Sequence, residues 1–227
     1  MSTFQRDCIS QITRELPKLA DKKVAHGAHA YMKGIAPFLG VSAPIRRKLF
    51  KEIFKTLPLP TSEELGKTAR ALWKLDEREY QYAACDLIAF FIESADKNFL
   101  ADHVEYLISH KSWWDSVDSL GTAAVSPLTI KYPSVTLMRR WSKSSNMWLN
   151  RASIQHQRGR KGQTDIALLM EILDAHSKND EFFIAKAIGW ALRDLSRIDN
   201  GVVKKFLKDH PDLNRVAVRE ALKLGYK

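Results

Sequence analysis

What the 227-residue sequence lacks narrows its reading before any motif does. It has two cysteines, Cys8 and Cys85, far apart and outside any C-x-x-C context. That leaves no disulfide framework and no cysteine-based metal site, so both read as reduced packing residues of a cytoplasmic protein. No apolar run approaches the length of a membrane-spanning helix. The opening residues, MSTFQRDCISQITREL, carry charges every few positions and read as an amphipathic helix, not a signal peptide. No glycine-rich phosphate loop is present, so nucleotide hydrolysis has no motif behind it. No Cys–His or Ser–His pairing with motif context occurs either. His26 and His29, in HGAH, are spaced for one helix face but have no acidic or thiol neighbour, so they are not read as metal ligands.

Acidic residues are missing from one long interval, and this absence is the most informative. Overall, 36 Lys and Arg against 26 Asp and Glu leave a net charge of +10. Between Asp118 and Asp165 there is no acid at all, while Lys131, Arg139, Arg140, Lys143, Arg151, Arg158, Arg160 and Lys161 all fall there. A solvated helix face usually mixes signs, so this interval reads as a surface for phosphates. A second basic cluster, Arg46, Arg47, Lys48 and Lys51, opens a helix near the N-terminus.

With 45% apolar residues the chain can bury a sizeable core. Those residues recur at helical spacing nearly throughout, and no run shows strand alternation. Ser42 and Pro44 mark one helix start, and Thr61 with Glu64 has the spacing of a capping box. Further helices are expected over 76–95, 99–110, 112–131, 134–143, 146–158, 163–177, 181–197, 200–209 and 213–224, with QRGRKGQTD as the most exposed turn. No long linker divides them, so residues 1–227 read as a single domain.

Tyr80, Trp114, Trp148 and Phe183 each open an apolar helix, 34, 34 and 35 residues apart. A period of this kind indicates stacked helical pairs. In that register Asp118 occupies the column held elsewhere by Ala84, Ala152 and Ala187, and Arg151 and Lys186 lie one column earlier. A carboxylate where the pattern has alanine breaks a local rule, and such breaks tend to mark function. Trp114 lies four residues before Asp118, on the same helix face. The neighbouring Asp115 reads as a helix-surface or capping acid, and Trp113 and Trp148 as core.

The segments YMKGIAPFLGVSAPIRRKL, KSWWDSVDSL, MWLNRASI, EFFIAKAIGWALRDLS and REALK together resemble the AlkD-like DNA glycosylases, HEAT-like proteins of DNA alkylation repair. The resemblance runs through most of the chain. It implies an all-α superhelical solenoid of antiparallel helix pairs with a concave basic groove, and excision of cationic 3- and 7-alkylpurines from duplex DNA. It implies Asp118 as the catalytic aspartate, Trp114 as an active-site aromatic, Trp190 as its counterpart across the groove, and Arg151 at the lesion-bearing backbone. Tyr31 matches a further DNA-contacting residue, and Arg46, Arg47, Lys111 and Arg158 are candidate DNA contacts. The chain departs from the family at Gln155 and His156, where the segment is usually more apolar, and at Asp194, where Glu is more usual.

The residue types suit that chemistry. An N3- or N7-alkylpurine already carries positive charge and leaves as a neutral base, so no acid is needed to protonate it. Ordinary glycoside hydrolases use two carboxylates; here one suffices, stabilising an oxocarbenium-like sugar and orienting water. Indole faces attract cations by about 0.5–2 kcal/mol. The expected protein is a monomeric, monofunctional enzyme without cofactor or metal, acting on alkylated duplex DNA at the nucleoid without an obligate protein partner. No motif marks a pocket for a flipped base. The competing reading is a non-enzymatic helical-repeat protein that binds duplex or distorted DNA, and a scaffold for protein partners comes after that.

Overall fold

Caps and apolar stripes produce helices along the whole chain, and among the residues described by the computed structural model, 1–223, no strand forms. The chain divides into two compact units, Met1–Ala124 and the remainder from Val125. Their boundary contains no linker. It falls in a π-helical turn, Gly121–Val125, which is why composition carries no sign of it.

The first unit opens with α1 (Thr3–Glu15), capped by the Ser2 hydroxyl, which buries Phe4, Cys8 and Ile12 along one stripe. Burial pushes the Cys8 thiol up to about 12, so it packs as a neutral group. Next comes α2 (Lys22–Tyr31), capped by the Asp21 carboxylate and burying no residue of its own. Its apolar residues Val24 and Tyr31 stay exposed, so they mark no core-facing stripe. α3 (Ala43–Lys55) starts after Ser42 with Pro44 in its first turn, although the Ser42 side chain makes no capping bond. α4 (Ser62–Lys74) begins with the full Thr61–Glu64 capping box. It packs on α5 (Arg78–Phe90). Phe4 meets Phe91 edge-on and Phe54 meets it tilted, with ring centroids 5.4 and 6.3 Å apart. A π turn, Leu100–Val104, leads into α6 (Glu105–Ser109), and α7 (Trp114–Leu120) ends the unit.

The second unit continues with α8 (Ser126–Lys131), α9 (Val135–Ser142), α10 (Met147–Gln155), α11 (Ile166–Ala175), α12 (Phe182–Ser196), α13 (Asn200–Asp209) and α14 (Arg215–Leu222). Its core is built from Met138, Trp141, Leu169, Ile172, Ile188 and Leu192. The expected helix over 112–131 is therefore α7, the π turn and α8 in succession. The end expected at 224 lies outside the described residues.

The 34-residue register corresponds to structure within each unit. Tyr80, Trp114, Trp148 and Phe183 lie in the first turn of α5, α7, α10 and α12, and Ala84, Ala152 and Ala187 are buried in their helices. Trp73 and Trp141 are both buried at the end of the preceding helix, where the same device recurs. Gln81 Nε2 donates to the carbonyls of Trp73 and Leu75 at 3.1 and 2.8 Å. Asn150 Nδ2 donates to those of Trp141, Ser142 and Ser144 at 2.9, 3.0 and 2.9 Å. An amide on the second helix of a pair thus satisfies carbonyls that the end of the first leaves open. Replacing Asn150 by Ala strands these buried carbonyls and is expected to cost about 2 kcal/mol in urea unfolding; a loss below about 0.5 kcal/mol would contradict the capping role.

Candidate functional site

In the first unit the two aspartates of WWDSVDSL have different surroundings. Asp115 is buried, contrary to the expectation of a surface or capping acid. Arg78, only 1% exposed, holds it with both arms of its guanidinium: Nε to Oδ2 at 3.0 Å and Nη2 to Oδ1 at 2.6 Å. Arg78 also reaches Ser116 Oγ at 2.7 Å and the Lys111 carbonyl at 2.7 Å. The Tyr82 hydroxyl donates to Asp115 Oδ2 at 2.6 Å. Burial, and then the Asp115 charge, push the Tyr82 phenol up, so it remains a donor. The sequence hid this cluster because Arg78 and Tyr82 lie two helices earlier, in α5, with no motif linking them to Asp115.

The same network fixes the loop before α7. Lys111 has a left-handed backbone, φ 48°. Its carbonyl is held by Arg78, and its ammonium donates to the carbonyls of Lys74 and Leu75 at 2.9 and 2.6 Å. Lys111 therefore caps α4. Arg46, a second candidate contact, lies over the Tyr82 ring at 4.2 Å and is partly buried, whereas Arg47 is exposed.

One turn beyond Asp115, Asp118 is half-buried on the face that carries Trp114. Trp114 is also half-buried and meets Tyr31 edge-on, with centroids 6.2 Å apart and planes at 82°. Tyr31 is 72% exposed. The Asp118 carbonyl accepts from Gly121 N–H and from Thr122 Oγ1 as the helix passes into its π turn. Such single-turn π segments recur at functional sites. Tyr31, Trp114 and Asp118 thus offer two aromatic rings and a carboxylate, a set suited to a developing cation. Around Tyr31 the sequence has another acid-free interval, between Asp21 and Glu52, with Lys22, Lys23, Lys33, Arg46, Arg47, Lys48 and Lys51.

In the second unit a cluster gathers on Trp190. The Arg151 and Arg158 guanidinium carbons each lie 5.0 Å from its ring centroid, and Lys186 Nζ lies 5.7 Å away. Arg151 is only 1% exposed and donates to the Phe183 carbonyl; Arg158 is exposed. Trp190 Nε1 donates to Glu220 Oε2 at 3.2 Å. Lys223 is 2.5 Å from Glu220 and holds this carboxyl below the usual carboxylate range, with Trp190 adding to the effect. Gly189 makes the arrangement possible: a Cβ there would sit 2.5 Å from Glu220 Cβ and 2.6 Å from the Ala217 carbonyl oxygen. The glycine of AIGW lets α14 approach α12 closely enough for Glu220 to reach the indole. Glu220 was missed in the sequence although it lies in the quoted REALK, because a helical Glu usually faces water.

The acid-free interval is not a uniform phosphate surface. Arg139 makes a two-pronged pair with Glu171 of α11, at 2.8 and 2.7 Å. Arg160 turns inward to Thr129. His156 is buried, with Nδ1 2.6 Å from the Ser153 carbonyl, and burial holds its imidazole down at about 4. The segment QRGRKGQTD is an exposed turn only from Arg158 on, since Gln157 is buried and bonds both backbone groups of Asp165. Among the described residues no three His, Cys, Asp or Glu side chains gather as a metal site would need, and no helix is long and apolar enough to cross a membrane.

Residues 12–224 match the family model of the DNA alkylation repair enzyme. Among solved structures, a predicted DNA alkylation repair enzyme from Enterococcus faecalis is similar with a TM-score of 0.84 and 30% identity, over 92% of this chain and 97% of that one. A Streptococcus mutans UA159 protein, smu.31, shares the fold at a TM-score of 0.59 and 19% identity, over 88% and 98% of the two chains. No match was found among curated proteins.

The burial difference between the two aspartates has a measurable consequence. Asp115→Ala leaves Arg78 charged and buried, and is expected to cost about 3–5 kcal/mol. Asp118→Asn, at a half-exposed position, is expected to stay within about 1 kcal/mol of wild type. Equal losses in denaturant melts of the two variants would contradict the division.

Proposed function

The chain belongs to the DNA alkylation repair enzyme family, and from that premise we propose that it hydrolyses the N-glycosidic bond of cationic 3- and 7-alkylpurines in duplex DNA. The observation that carries this reading is the half-buried carboxylate of Asp118 placed one turn from the Trp114 indole, beside a second aromatic ring. In this reading Asp118 stabilises the oxocarbenium-like sugar as the neutral base leaves, and orients the water that attacks it. Trp114 offers its π face to the same positive charge. Lys186 supplies positive charge beside Trp190 for backbone phosphates, while Arg151, only 1% exposed, acts through the Trp190 ring and the Phe183 carbonyl. Tyr31, Arg47 and Arg158, all exposed, contact the DNA backbone. Arg46 and Lys111 act behind them, one against Tyr82 and the other as a helix cap.

Balance of the reaction requires only water: the C1′–N bond breaks with both electrons going to the cationic base, and a hydroxyl from water joins C1′ as its proton leaves. No lysine is assigned to the sugar, so no Schiff base forms and the strand is not cut. The second reading, a DNA-binding protein without catalysis, rests on the two acid-free basic intervals and shares the expectation of strongly salt-dependent duplex binding.

Purified protein incubated with methylated duplex DNA is expected to release free 7-methylguanine or 3-methyladenine, equally well with a chelator present. Neutral lesions such as hypoxanthine are expected to stay attached, because no side chain is assigned to protonate them. Binding with no base release from heavily methylated duplex would favour the second reading.

A further inference from the structure

Next to Arg78 in the first turn of α5, Glu79 is 2% exposed and meets the loop that precedes α3. Its Oε1 accepts from Gly40 N–H at 2.8 Å and from Val41 N–H at 3.1 Å, and its Oε2 accepts from Leu39 N–H at 3.0 Å. Successive amides converging on one point make an anion-binding nest, and here the chain's own carboxylate fills it. The Arg78 N–H adds a bond to the Pro37 carbonyl at 2.9 Å. The gripped loop in turn carries α2. The Leu39 carbonyl accepts from Asp21 N–H at 3.2 Å. Gly40, at φ 86°, runs against the first turn of α2, where a Cβ would stand 2.0 Å from the Asp21 carbonyl oxygen and 2.6 Å from Ala25 N. α2 buries no residue of its own, while Met32, just past its end, is anchored at 3% exposure. The loop and Met32 are thus two points that set the axis of α2. Tyr31, its last residue, meets Trp114 edge-on.

We propose that Glu79 is a positioning residue of the candidate site: through the Leu39–Val41 loop it seats α2 so that the Tyr31 ring stands against the Trp114 indole. The inference rests on the reading of Tyr31, Trp114 and Asp118 as one site, but not on what that site excises. A neutral side chain would close the loop with less desolvation. A carboxylate holds three consecutive amides at once, by charge-assisted bonds about twice as strong as neutral ones, which fixes the direction of the loop as well as its place. Two adjacent residues of α5 then divide the work. Arg78 fixes α7 through Asp115, and Glu79 fixes α2 through the loop, so one helical turn aligns both members of the aromatic pair.

The test follows the Tyr31–Trp114 contact in the full chain without DNA, as the nuclear Overhauser effect between the two rings. Wild-type protein is expected to show it. Glu79→Gln keeps the side chain's size but turns an amide NH2 towards the loop, and is expected to lose the effect while the buried Trp73 and Trp141 indoles keep their chemical shifts. Gly40→Ala, which pushes the loop off α2 with Glu79 intact, is expected to do the same and covers the case in which Glu79→Gln fails to fold. Single-turnover release of 7-methylguanine is measured alongside. Glu79→Gln and Tyr31→Ala are each expected to slow it by about 10-fold, the scale of one aromatic contact with a cation. The double variant is expected to stay within about 2-fold of either, because both changes remove the same interaction. A ring contact absent in wild type or undiminished in a folded variant, or losses that multiply in the double variant, would overturn the proposal. A wild-type protein that releases no base, with the contact still lost in Glu79→Gln, would refute excision and leave the positioning role standing.

Discussion

A buried ion pair sets the geometry on which the rest of the candidate site depends. Arg78 and Asp115 are both out of water, and the pair is tolerated because Tyr82, Ser116 and the Lys111 carbonyl complete its hydrogen bonds. The pair joins two helices one period apart, fixes the left-handed Lys111 loop, and sets where α7 begins. Because α7 begins there, Trp114 and Asp118 share a face that is half-open to solvent, while Asp115 is turned inward. Two carboxylates three residues apart thus have different settings: one is buried and orients the helix, and the other is half-exposed.

The second unit reaches a similar end by different means. Here the fixed element is an aromatic ring, and what fixes it is a close helix approach. Gly189 removes the side chain that would hold α14 away from α12. Glu220 then reaches the indole nitrogen, and three cations collect around a ring that cannot turn freely. The positive charge that dominates the sequence is therefore selectively deployed. Arg139 is neutralised by Glu171 and Arg160 is drawn inward, whereas Arg158 stands at the surface.

Much of the fold was legible in the sequence because its signals are local. The Thr61–Glu64 box and Pro44 in a first turn each need only a short window, and the 34-residue spacing of aromatic helix starts needs only the positions of four residues. The helix Lys22–Tyr31 was not read from the sequence, and it contributes no buried residue to a core. The division at Ala124 was hidden for another reason: the backbone crosses it in a π turn with no change in composition. The motif resemblance pointed to Trp114 and Asp118 in the first unit and to Arg151 and Trp190 in the second. The partners that orient them, Arg78, Tyr82 and Glu220, are ordinary residues whose roles exist only in three dimensions. The misreading of Asp115 as a surface acid has this same origin.

The chemistry proposed for Asp118 asks little of the protein beyond a fixed carboxylate near an indole, because the substrate arrives already charged. Its most direct test is the single-turnover rate of 7-methylguanine release by Asp118→Asn. The expected result is a fall of about 10²–10³-fold, the scale of a lost transition-state charge contact, with duplex affinity and melting behaviour kept. A variant that releases base at the wild-type rate would contradict the account.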